Sequence, residues 1–83
     1  MDLSVAIISY KILTKSAAKV AIEIKSATEI KPRHQTGLKR FLEEHPQSRP
    51  IIVSLDKLSR KSGNIEILYI MDFLKMLWNG DII

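Results

Sequence analysis

Apolar residues alternate with small or charged ones along Val20-Ala21-Ile22-Glu23-Ile24-Lys25, and this period of two predicts a half-buried β-strand. Side chains on a strand alternate between its faces. Val20, Ile22 and Ile24 should therefore point into a core, with Glu23 and Lys25 together on the other side. Upstream, Leu3 to Leu13 is rich in Val, Ile and Tyr and predicts another strand. Its adjacent Ile7 and Ile8 break the alternation, which implies burial on both faces or a bulge. The small, polar stretch Thr14 to Lys19 would turn the chain between the two strands, although Ser16-Ala17-Ala18-Lys19 also suits a helix.

Beyond Lys25 the period changes. A helix is expected from about Arg33 or His34 to His45, with Leu38, Phe41, Leu42 and His45 on one core-facing stripe and Pro46 as its stop. Lys39, Arg40, Glu43 and Glu44 fall on the opposite, solvated side. Ile51-Ile52-Val53-Ser54-Leu55 is a continuous apolar run and reads as a central strand covered on both faces. A strand–helix–strand of this length makes the two strands parallel, through a right-handed crossover. Asp56 to Asn64 reads as a polar loop, and Ile65 to Leu68 as a last strand. A final helix with Asp72 at its start should bury Phe73, Leu74, Leu77 and Trp78 and end at Gly80, leaving a short apolar tail. The whole predicts one α/β (α+β) domain over residues 1–83, with a mixed sheet in the order β-β-α-β-β-α.

Composition narrows the class without naming a function. With 46% hydrophobic and 27% charged residues the chain is ordinary globular, not disordered. The absence of cysteine excludes a disulfide framework and a thiolate zinc site. No apolar run has the length of a membrane span, and Met1-Asp2-Leu3 lacks a signal peptide's positive start, so a cytoplasmic location and no membrane partner are the expectation. A net charge of +4 permits a polyanionic partner without requiring one. Neither His34 nor His45 has a second ligand at metal-binding spacing on its helix turn, so both read as surface or helix-end residues.

The Glu23–Lys25 pair admits two readings. One is a same-face ion pair on a solvated strand, contributing at most about 1 kcal/mol. The other is half of a metal site, with Glu23 as oxygen ligand and Lys25 polarising a bound water. The strings VAIEIKSATEIKPRH, GLKRFLEEHPQSRPIIVSLD, IEIL and DFLKMLWNGDII bear on that choice. Over residues 19–83, roughly three quarters of the chain, the sequence resembles the C-terminal domain of a family of archaeal and bacterial AAA-type ATPases. That domain has a PD-(D/E)XK nuclease-like fold, and residues 1–18 match it poorly.

The resemblance implies a restriction-endonuclease-like mixed sheet, shortened at its N-terminal side relative to the superfamily. It implies Mg²⁺ held by Glu23, the backbone carbonyl of Ile24 and an aspartate on the preceding strand, with Lys25 orienting water or stabilising developing charge. The family's Glu-Val-Asp segment is missing, and the only acid before Glu23 is Asp2. The expected function is therefore a catalytically incomplete nuclease-like domain that binds nucleic acid or serves assembly with an AAA-type ATPase. One alternative is an active Mg²⁺-dependent DNA endonuclease built on Asp2, Glu23 and Lys25. Another is a structural fragment that forms a homodimer through an uncovered apolar face. No phosphate-binding Gly-rich loop is present. Candidate phosphate contacts are Lys31, Arg33, Lys39 and Arg40 around the first helix, and Lys57, Arg60 and Lys61 in the later loop.

Overall fold

Strand β2 (Arg49–Ser54) is the axis of the fold. In the computed structural model, which describes residues 20–82, it lies between β1 (Val20–Ile24) and β4 (Ile65–Tyr69) and runs parallel to both. Strand β3 (Arg60–Ser62) adds antiparallel to the outer edge of β4, giving the order β1-β2-β4-β3. Helix α1 (Thr36–Glu44), preceded by a 3₁₀ turn at Pro32–Gln35, connects β1 to β2, and α2 (Ile70–Trp78) follows β4 directly. The architecture is a four-stranded mixed sheet with two helices. The expected strand at Leu3 to Leu13, its turn and Asp2 lie outside the described residues. Among the described residues no helix is long and apolar enough to cross a membrane.

The sheet has a core on each face, as parallel strands require. Val20, Ile22, Ile51, Val53 and Leu68 form one cluster with Ile82, covered by Ile70, Phe73 and Met76 of α2. Ala21, Ile30, Leu38, Ile52, Ile65 and Ile67 form the other, covered by Phe41 and Leu42 of α1. Ile51, Ile52 and Val53 are fully buried, and deleting such side chains to alanine typically costs about 2–5 kcal/mol. The double cover corrects two expectations for β1. Glu23 is not on a solvated face but buried beneath α1, while Ile24, at the strand's end, is 43% exposed.

The second half departs from expectation at two further points. Asp56 to Asn64 is not a loop throughout, because Arg60–Ser62 forms β3 and Ser62 pairs with Ile65 across a two-residue turn. Gly63 takes φ 61° there, a conformation that glycine adopts without steric cost. In α2 the inward residues are Ile70, Phe73 and Met76, whereas Leu74, Leu77 and Trp78, expected in the core, are exposed. Helix α2 begins at Ile70, two residues before Asp72, and Ser59 of the β2–β3 loop ties down its first turn. The Ser59 hydroxyl accepts from the Tyr69 N–H (2.9 Å) and donates to Asp72 (2.6 Å). Its C-terminus closes as expected at Gly80 (φ 80°), with Asp81 N–H donating to Met76 O (2.8 Å) and Gly80 N–H to Leu77 O (3.2 Å).

A buried carboxylate ties the loops together. Asp56 accepts from the Ile30 N–H (2.9 Å), the Leu58 N–H (3.0 Å) and Arg60 (3.0 Å), and Arg60 also donates to the carbonyls of Ile30 and Leu58. The Ile30 and Leu58 amides hold the Asp56 carboxyl below its ordinary value of 3.8, with Arg60 assisting and burial opposing. A carboxyl with a lowered folded-state pKa stabilises the fold above its unfolded value, and that contribution is lost as pH falls through the folded value. Asp56→Asn should therefore lower stability at neutral pH by about 2 kcal/mol and flatten its decline below about pH 4. Urea unfolding of both proteins across that range tests this; parallel acid limbs would remove Asp56 as the cause.

Candidate functional site

Strand alternation puts Glu23 and Lys25 on the same face, and α1 crosses above them. The Lys25 Nζ lies 3.8 Å from Glu23 Oε1, a Coulombic contact longer than a hydrogen bond. Only 5% of Glu23 is exposed. Gly37, the second residue of α1, lies directly over the carboxylate: a Cβ there would stand 3.6 Å from Oε2 and 3.7 Å from Oε1. That is ordinary contact, so alanine would fit. Glu23 is therefore compensated by one ammonium and by the positive end of the α1 dipole. This explains how a carboxylate is tolerated in the second layer of the core.

The same geometry limits what the pair can do with a metal. Among the described residues no group of three or more His, Cys, Asp or Glu side chains gathers. The donor set is one carboxylate and the Ile24 carbonyl, and Lys25 offsets the charge that would draw a hard dication. These residues by themselves do not fit Mg²⁺. Asp2, the remaining ligand expected from the sequence, is outside the described residues.

The expected phosphate contacts divide by their surroundings. Lys31 and Arg33, at the start and inside of the 3₁₀ turn, are exposed and line an open groove of about 440 Å³ with Ser26, Thr28 and Glu29. Lys39 and Arg40 are exposed on the outward side of α1. Lys57 and Lys61 are also exposed, on the β2–β3 loop and on β3, at the edge of the sheet opposite β1. None of these six is in an ion pair among the described residues. Arg60 is different in kind: its guanidinium is occupied by Asp56 and two carbonyls.

Sequence reasoning passed over several polar residues that the structure buries. His34, expected at the surface or a helix end, is buried at the helix start, and its Nδ1 accepts the Lys31 N–H (2.8 Å). Gln35 is buried beside it. Its Nε2 donates to Ser62 Oγ (3.3 Å), and its Oε1 has no partner. His45 stacks on Phe41 with ring centroids 4.4 Å apart. Nothing in the local sequence marks His34 or Gln35, because their burial comes from where the 3₁₀ turn meets the sheet. Comparison with protein-family models, with curated proteins and with solved structures returns no match.

Removing one member of a buried pair leaves the other uncompensated, whereas replacing both by neutral groups of similar size need not destabilise. Lys25→Met should cost about 2 kcal/mol, and the double variant Glu23→Gln/Lys25→Met should recover at least about 1 kcal/mol of it. Denaturant unfolding of the four proteins gives the cycle. Strict additivity would mean that the two charges do not interact.

Proposed function

We propose that this chain is a PD-(D/E)XK nuclease-like domain that binds nucleic acid through its α1 side and does not hydrolyse it. The observation carrying this reading is the run of exposed cations Lys31, Arg33, Lys39 and Arg40 along one helix and its preceding turn, none of them in an ion pair among the described residues. Exposed cations outside ion pairs suit a phosphate backbone, and the Thr28 hydroxyl lies in the adjoining groove, which Glu29 also lines. The restriction-endonuclease-like fold is supported by the parallel β1–α1–β2 crossover with an E-x-K pair at the end of its first strand. The resemblance to the AAA-type ATPase domain agrees with it, and by the same resemblance a motor subunit is the proposed assembly partner.

The surroundings of Glu23 support the reading without hydrolysis. Among the described residues, the buried Glu23 carboxylate has Lys25 beside it and no second carboxylate to help hold Mg²⁺ against water. The reading with an active Asp2/Glu23/Lys25 site differs in one observable, a metal-dependent signal at Glu23.

Fluorescence anisotropy with labelled duplex DNA tests the binding. Affinity should fall steeply with salt, and each of Lys31→Ala, Arg33→Ala, Lys39→Ala and Arg40→Ala should reduce the salt slope by about one. Affinity independent of salt would overturn the proposal. In the same preparation, Mn²⁺ should produce no paramagnetic broadening of Glu23, Ile24 and Lys25 amides that Glu23→Ala abolishes. Plasmid cleavage in Mg²⁺ that Glu23→Ala removes would establish the nuclease instead.

A further inference from the structure

The end of α2 carries a reactive pair. Asn79 and Gly80 follow the helix directly, both are exposed, and they form the one Asn-Gly step of the chain. An asparagine amide is open to attack by the backbone nitrogen of the next residue. A side chain on that residue hinders the approach, and glycine has none. The other asparagine, Asn64, precedes Ile65, whose branched side chain is buried at the start of β4. At the α2 end the backbone is only lightly held: Asn79 is the C-cap, and the Gly80 N–H reaches Leu77 O at 3.2 Å, the long end of the hydrogen-bond range. Beyond this point the tail is locked. The Asp81 N–H donates to Met76 O (2.8 Å), Arg49 donates to the Asp81 carbonyl, and Ile82 packs with Val20, Val53 and Leu68 in the core.

We infer that Asn79 is a site of spontaneous deamidation, and that its conversion releases the C-terminal tail from the core. The Gly80 nitrogen bonds to the Asn79 side-chain carbonyl carbon. The side-chain nitrogen leaves as ammonia, carrying the proton that Gly80 loses. Water then opens the cyclic imide at one of its two carbonyls and gives isoaspartate or aspartate. Isoaspartate routes the main chain through the side-chain methylene, so the path from residue 79 to residue 80 gains one carbon. The Gly80 and Asp81 amides are then out of register with the Leu77 and Met76 carbonyls, and Ile82 loses the path that seats it. Either product also adds a carboxylate at the C-terminus of α2, where the helix dipole disfavours negative charge. The lock in turn controls the rate. Attack requires the Asn79–Gly80 peptide to rotate out of its helical setting (ψ −3° at Asn79), which breaks both helix-end bonds. A seated tail slows the reaction, and a released tail speeds it.

The full chain, incubated at mildly alkaline pH and mapped by peptide mass spectrometry, tests this. The Asn79 peptide should gain the mass difference between amide and acid, with isoaspartate the larger product, while the Asn64 peptide stays unchanged. In the converted protein, hydrogen exchange at the Asp81 amide should quicken at least about tenfold. Ile82→Ala loosens the tail without touching the pair and should convert at least about threefold faster. Asn79→Ser cannot cyclise, so incubation should leave both its mass and its Asp81 protection as they were. Asn79 left intact by an incubation that converts it in the urea-unfolded chain overturns the site. Conversion that leaves Asp81 protection unchanged overturns the release, and so does a loss of protection that Asn79→Ser shares. An Ile82→Ala rate equal to the parent's overturns the control by the tail.

Discussion

The arrangement depends on β2 being buried along both faces. A strand reading Ile51-Ile52-Val53 has no polar side to turn to water, so it must be flanked by strands and covered by a helix above and below. Strand β1 pairs with it through the α1 crossover, β4 pairs on the other side, and α2 follows at once. Once this is fixed, β1 cannot keep a solvated face. Glu23 is buried because β2 is central, and the ammonium of Lys25 beside it is the local answer to that burial.

The connections carry the cost of this architecture. Loop 25–31 passes over the ends of the strands with only Ile30 buried, and the backbone groups of a buried residue need partners. Asp56 and Arg60 act together as a cross-brace, one accepting the Ile30 amide and the other donating to the Ile30 carbonyl. The Leu55 N–H donates to the Ala27 carbonyl (3.1 Å) a few residues away. At the opposite end of the sheet, Arg49 makes a two-pronged contact with Glu66 (2.6 and 3.0 Å) and reaches the Asp81 carbonyl, which holds the tail where Ile82 completes the core. Each brace spans elements far apart in the sequence, so neither carries a local signature.

That contrast describes what can be read from the chain alone. The β1, α1, β2 and β4 segments were legible because period and apolar content are local, and Gly80 ended α2 for the same reason. Strand β3 was missed because Arg60-Lys61-Ser62 has no apolar alternation; Gly63-Asn64 was the available turn signal. The inward face of α2 was misassigned because only Asp72 and Lys75 between Ile70 and Trp78 are polar, and the wide apolar arc that remains does not say which part of it meets the sheet. For the candidate site, the pairing of Glu23 with Lys25 follows from strand parity, but its burial depends on where α1 crosses. The occupation of Arg60 by Asp56 was equally invisible, since a lone arginine in a polar stretch looks like a free cation.

Among the described residues, Met71, Leu74 and Trp78 of α2 are exposed apolar side chains. This apolar surface and the cationic surface fall on opposite sides of the sheet, one belonging to α2 and the other to α1. The separation has a physical consequence. Desolvating Met71, Leu74 and Trp78 against a partner draws no charge of the α1 side out of water, so association there carries no electrostatic penalty from Lys31, Arg33, Lys39 or Arg40. Polyanion binding on α1 would in turn leave the apolar side of α2 as it is.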